Sequence, residues 1–159
     1  MGVKAMKPDL ELYMPVAGKV IPLEDVNDLL AEDMVGGMGA GIIPSGDIFY
    51  SPVSGKVVMV AENLNSVAIA TKSGITILIH AGIDTAKLGG RGFCIYVREG
   101  DSVTAGDKLL YMDRDYVESR AKITTPLIIT TPDMVGNIET DYYVNDAFVK
   151  FMEIFLAKD

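Results

Sequence analysis

The 159-residue sequence has no tryptophan, one cysteine and one histidine. The lone Cys94 excludes an internal disulfide and fits a reducing compartment. Its ordinary role is a small apolar filler on a strand. One histidine and one cysteine cannot furnish the two or three histidines plus aspartate of a zinc peptidase, so no metal site is expected. Basic residues are also scarce, since 14 Lys and Arg against 22 Asp and Glu leave a net charge of −8. A nucleic-acid surface needs clustered cations, and that function is excluded. No apolar run approaches the roughly 18 residues that span a bilayer, and no secretory h-region opens the chain. Met6 stands where a myristoylation signal requires Ser or Thr. The expected location is therefore cytoplasmic. The acids are dispersed, which suits a solvated surface with a minority left to steer a basic partner.

Segments rich in β-branched residues recur between Gly, Pro and Asn/Asp turns. They predict strands near 11–14, 17–21, 40–43, 47–50, 55–61, 66–71, 75–80, 93–98, 108–112, 126–130, 137–140 and 148–153. Residues 1–10 read as a flexible leader and 11–159 as a single domain. Two short helical turns are expected. One covers Val26–Asp33, and the other covers Tyr116–Ala121 behind a cap at Asp113 or Asp115. No long amphipathic helix is visible, so the class is all-β. Pro15-Val-Ala-Gly-Lys-Val-Ile21 is echoed by Pro52-Val-Ser-Gly-Lys-Val-Val58. The echo points to a duplicated β-unit, packed as an antiparallel β-sandwich or flattened barrel. Phe148, Phe151, Met152, Phe155 and Leu156 also fall at helical spacing behind Asn145-Asp146. A strand to about 153 with a helical extension is the expectation there.

Chemistry concentrates in Gly74-Ile-Thr-Ile-Leu-Ile-His80-Ala-Gly-Ile-Asp84-Thr85. On a strand, Ile75, Ile77, Ile79 and Ala81 share the core face, while Thr76, Leu78 and His80 share the other. An imidazole at a strand end beside an apolar neighbour is a nucleophile that titrates near physiological pH. A satisfied, half-buried histidine with no catalytic role is the plain alternative.

The pattern Gly-x-x-apolar-apolar-apolar-His-x-Gly-apolar-Asp-Thr resembles the active-site segment of the glucose-type enzyme IIA family. That family belongs to the bacterial phosphoenolpyruvate-dependent sugar phosphotransferase system. The same order and spacing hold for Pro15–Val20 with Leu23–Val26, Gly37-Met-Gly39 before Ile43-Pro44, and Ser51–Val57. Gly90–Phe93, Glu99–Leu109 and Thr125–Ile129 complete the series.

The resemblance implies that His80 accepts a phosphoryl group from the phosphocarrier HPr and passes it to a sugar-specific IIB domain or permease. Membrane contact would arise only through that permease, and no cofactor is called for. Leu78, Leu29, Leu30 and Val35 would supply a shallow apolar surface, with Asp28 and Asp84 on an acidic rim that meets basic groups of partners. The family places a second histidine fifteen residues before the first. Here that position is Asn65, and Asn63 replaces the threonine that would orient it. An amide can donate to a phosphoryl oxygen but cannot carry charge near neutral pH. The alternative function is a regulatory relative that keeps the partner surface, engages target proteins and transfers phosphate poorly. The glycine rhythm of Glu99–Leu109 also resembles lipoyl and biotinyl carriers, but no Met-Lys-Met tip accompanies it.

Overall fold

A computed structural model describes residues 6–29 and 37–158, without the side chains of residues 27–29. The described residues form thirteen strands: β1 Leu10–Tyr13, β2 Gly18–Pro22, β3 Met38–Pro44, β4 Ile48–Tyr50, β5 Gly55–Val60, β6 Ser66–Ala70 and β7 Thr76–His80. They continue as β8 Phe93–Ile95, β9 Ser102–Val103, β10 Lys108–Met112, β11 Thr125–Ile129, β12 Val135–Thr140 and β13 Lys150–Leu156. The largest sheet has the order β2-β3-β11-β7-β6-β5-β9, and two three-stranded sheets, β4-β10-β8 and β1-β13-β12, pack with it. Every pairing is antiparallel. This is the β-sandwich read from the sequence.

One continuous core joins the sheets. Ile75, Ile77, Ile79 and Ala81 are fully buried, as the alternation of β7 requires, against Val67, Ile69, Leu127, Phe49 and Leu110. Each of the larger side chains among them, Ile, Val, Leu or Phe, contributes roughly 1.5–3 kcal/mol relative to its exposed state.

The sequence echo has a physical counterpart. The backbone N–H of Tyr13 donates to the Pro52 carbonyl at 3.0 Å, and that of Tyr50 donates to the Pro15 carbonyl at 2.7 Å. Each proline therefore accepts from the residue two places before the other. A Cβ on Gly18 would lie 2.3 Å from the Ile43 carbonyl, and one on Gly55 would lie 2.3 Å from the Ala70 carbonyl. Both glycines are needed for the same close backbone approach.

Several boundaries differ from expectation. The first strand begins at Leu10, inside the expected leader, and the Asp9 N–H reaches the Ile154 carbonyl at 3.0 Å. The 3-10 turn spans Leu23–Leu29, starting three residues before Val26, and residues 30–36 lie outside the described part. Helix α1 is Arg114–Glu118, capped by Asp113, whose carboxylate accepts from the Tyr116 N–H at 3.1 Å. The expected C-terminal helical extension is absent, because β13 runs to Leu156. Pairing with β1 on one side and β12 on the other satisfies its backbone, and that outweighs the helical spacing of its apolar residues. The two-residue β9, which the sequence does not announce, pairs with β5 at the sheet edge.

Candidate active site around His80

His80 is the last residue of β7 and is half-buried. Its Nδ1 lies 2.8 Å from the Gly82 carbonyl oxygen. A carbonyl only accepts, so Nδ1 carries a proton, and in the neutral ring Nε2 then holds the lone pair. The tautomer is thus set by the main chain two residues on.

That contact depends on a tight turn. Gly82 has φ +79°, and a Cβ there would meet Thr85 Cγ2 at 2.5 Å and the Lys122 carbonyl at 2.6 Å. The Gly82 N–H donates to Thr125 Oγ1 at 3.3 Å, and Ile83 bridges Lys122 through N–H···O contacts of 2.9 and 3.3 Å. Thr85 closes the turn from below. It is 0% exposed, and its hydroxyl donates to the Ala81 carbonyl at 2.9 Å.

Asn65 immediately precedes β6, and its carbonyl accepts the Ala81 N–H at 2.7 Å. Its side chain is 3% exposed. The amide Nδ2 donates to Thr85 Oγ1 at 3.1 Å, while Oδ1 accepts from Ser66 Oγ at 3.3 Å. The carboxamide is therefore engaged with the turn that follows His80. Ser66, directly opposite His80 across the β6–β7 ladder, is the polar neighbour on the histidine's own face.

The outer face beside His80 is apolar. Ile128 stands opposite Leu78, and Gly39 stands opposite Ile128. Leu23, Val26 and Ile128, joined by Ile21 and Leu78, form an apolar cluster separate from the main core. Gly41 leaves room for it, since a Cβ there would come within 2.9 Å of Ile21 Cγ1 and 3.3 Å of Val26 Cγ1. Asp84 is exposed at the rim with φ +63°, and its carboxylate pairs with Lys87 at 3.1 Å. Asp28 and Leu29 belong to the 3-10 turn that carries Leu23 and Val26, but their side chains lie outside the described part, as do Leu30 and Val35 altogether.

The sequence nominates His80, Leu78, Asp84 and Asn65, and it assigns no site role to Ser66, Thr85, Ile21, Leu23, Val26 or Ile128. Thr85 was visible within the Gly-Ile-Asp-Thr motif. The others become neighbours only through strand register, which one sequence does not reveal. Among the described residues, no helix is long and apolar enough to cross a membrane.

Residues 10–135 match the family model described as the phosphoenolpyruvate-dependent sugar phosphotransferase system, EIIA 1. The glucose-specific EIIA component of Staphylococcus epidermidis is 33% identical over 139 residues, covering 87% of this chain and 84% of that protein. The corresponding Staphylococcus aureus protein is 32% identical over 148 residues, covering 92% and 88%. The solved glucose permease IIA from Mycoplasma capricolum superposes with a TM-score of 0.73 at 29% identity, covering 92% of this chain and 94% of that one. With a family model spanning most of its length and relatives at this level of identity, the chain belongs to the EIIA family of the sugar phosphotransferase system.

Proposed function

We propose that this protein is a phosphocarrier in sugar uptake, taking a phosphoryl group from HPr on His80 Nε2 and delivering it to a sugar-specific IIB domain or permease. The observation that carries the reading is the 2.8 Å contact between His80 Nδ1 and the Gly82 carbonyl. It leaves the Nε2 lone pair as the nucleophile. That lone pair forms the new N–P bond while the N–P bond in the donor phosphohistidine breaks, and the departing imidazole keeps the electron pair. The proton on Nδ1 stays in place. Positive charge develops on the ring, so its bond to the Gly82 carbonyl becomes charge-assisted and stronger. Such transfers proceed through a loose transition state, which places the demand on alignment and on stabilising the phosphoryl oxygens. The apolar cluster around Leu78 would exclude water beside a labile phosphoimidazole. Asp84, and Asp28 on the neighbouring turn, would meet basic groups of the partners.

A second reading is a regulatory member that accepts phosphate but passes it on poorly. It is favoured by the engagement of the Asn65 carboxamide with Thr85 and Ser66. In this reading Asn65, at the position the resemblance matches to the family's second histidine, acts as a positioning residue, with one N–H of its amide committed to Thr85 and its oxygen to Ser66. Incubation with phosphoenolpyruvate, enzyme I and HPr separates the two. Acid-labile phosphate on the wild type, lost in His80→Gln, and its discharge to a IIB domain support the carrier. Labelling without discharge supports the regulatory form. Absence of label overturns the His80 assignment.

A further inference from the structure

A second polar site lies between the 3-10 turn Ala86–Leu88 and helix α1. There, Lys87, Leu88, Gly89, Arg91, Tyr116 and Arg120 line a depression of about 360 Å³. We propose that it binds a phosphate dianion, either free or as the monoester end of a small organic molecule.

Three cations converge on this depression in a protein whose net charge is −8. Arg91 and Arg120 form no ion pair among the described residues. Arg120 is nevertheless held in place. Its guanidinium carbon lies 3.8 Å from the Tyr116 ring centroid. Its Nη1 donates to the Tyr116 carbonyl at 3.0 Å and to Ser119 Oγ at 2.7 Å. The remaining N–H groups of that fork have no protein acceptor among the described residues. A guanidinium fixed in advance loses little side-chain entropy on binding.

The ligand class follows from charge and shape. A phosphate monoester carries about −1.5 to −2 charge at pH 7 and three acceptor oxygens, which suits three converging cations. The two arginines offer planar forks of the kind that grip phosphate. A monocarboxylate would engage one fork and leave the other cations uncompensated. Recognition is of charge, because the Tyr116 ring is already covered by Arg120 and offers no free stacking platform. Lys87 is shared with Asp84, but that pair is exposed on both sides, and such pairs are readily exchanged. Gly89, at φ +62° with nothing within 4 Å of a Cβ position, keeps the mouth open.

The site is independent of phosphoryl transfer and can be tested on the unphosphorylated chain. Inorganic phosphate, glycerol 3-phosphate and uncharged glycerol would be titrated at constant ionic strength, with backbone amide chemical shifts as the readout. Saturable shifts confined to residues 86–92 and 116–120 are expected with both phosphates and not with glycerol. Arg91→Gln and Arg120→Gln should each weaken binding about tenfold, as the loss of one charge-assisted contact implies. Lys56→Gln removes the same charge from β5, and His80→Gln alters the other site; neither should change binding by more than about twofold. Tighter binding of the ester identifies an organic source and equal binding identifies free phosphate; both support the site. Non-saturating shifts, equal weakening in Lys56→Gln, or shifts centred on His80 would overturn it.

Discussion

Replacing Thr85 with valine tests the scaffold beneath His80 most directly. Valine keeps the volume and exchanges a hydroxyl for a methyl, so cavity and overpacking terms stay small. Thr85 is 0% exposed, and its hydroxyl serves two partners, the Ala81 carbonyl at 2.9 Å and Asn65 Nδ2 at 3.1 Å. The substitution removes a donor from the first and an acceptor from the second, and Asn65 is itself 3% exposed. A buried polar group left without a partner costs about 1–3 kcal/mol. Two such losses, offset by roughly 1 kcal/mol from burying a methyl group, give an expected destabilisation of about 1–5 kcal/mol. Urea denaturation of Thr85→Val, with m unchanged, would measure it. The double variant with Asn65→Leu adds a sharper criterion. It removes the amide that Thr85→Val strands, so the combined loss should fall short of the sum by about 1–2 kcal/mol. A single-variant loss below about 0.5 kcal/mol, or additivity within that margin, would refute the proposed linkage of Asn65, Thr85 and Ala81.

Three further outcomes are expected. Gly82→Ala should cost about 2–4 kcal/mol in chemical denaturation, because φ is +79° and the new Cβ would lie 2.6 Å from the Lys122 carbonyl; a loss under about 1 kcal/mol would count against the turn geometry. Phe148 sits at φ +70°, so Phe148→Gly should be more stable than Phe148→Ala by about 1 kcal/mol, both having lost the ring contact with Tyr50; the reverse order would argue against backbone strain there. Lys150 has its pKa raised above the usual 10.5, chiefly by hydrogen bonding to Glu153 and then to Glu11. A raised amine stabilises fully below the unfolded value, and that contribution is lost as pH climbs through the folded one. The melting temperature should therefore fall above about pH 10, with a shallower slope in Lys150→Met; identical slopes would exclude a role for this amine.

What could be read from the sequence followed local rules. The alternation Ile75, Ile77, Ile79 and Ala81 marks one face of a strand whatever its neighbours, and all four are fully buried. Asp113 caps α1 because a short acidic side chain before a helix accepts from its first free N–H groups. The pairing of Leu78 with Ile128, and the seating of Leu23 and Val26 near both, required knowing that β11 lies beside β7. These strands are separated by more than forty residues, and nothing local encodes their register. At the C-terminus two periodicities competed in Phe151–Leu156, and the free edges of β1 and β12 decided for the strand. The direction of the Asn65 side chain was hidden for a related reason. Its partner Thr85 lies twenty residues later and reaches it only because the turn at Gly82 doubles back.

The two halves of the proposed chemistry are encoded differently, and this bears on which one can fail. The Nδ1 proton of His80 is held by a main-chain carbonyl. A substitution can displace that oxygen only by disturbing position 82 and its supports, so in the proposed chemistry the acceptor role of Nε2 rests on the turn. The second candidate group for the phosphoryl oxygens, at position 65, is a side chain, and a side chain can be recruited elsewhere. The Asn65 carboxamide is recruited in this way, with one N–H on Thr85 and its oxygen accepting from Ser66. An amide that left Thr85 to reach a phosphoryl oxygen would take a donor from the buried Thr85 hydroxyl, leaving it only its bond to the Ala81 carbonyl, and would gain a neutral contact weaker than a charged one. In the proposed chemistry, acceptance at His80 and donation to a IIB domain are therefore separable steps, and any loss caused by the engagement of Asn65 should appear in kinetic measurements of the second and not the first.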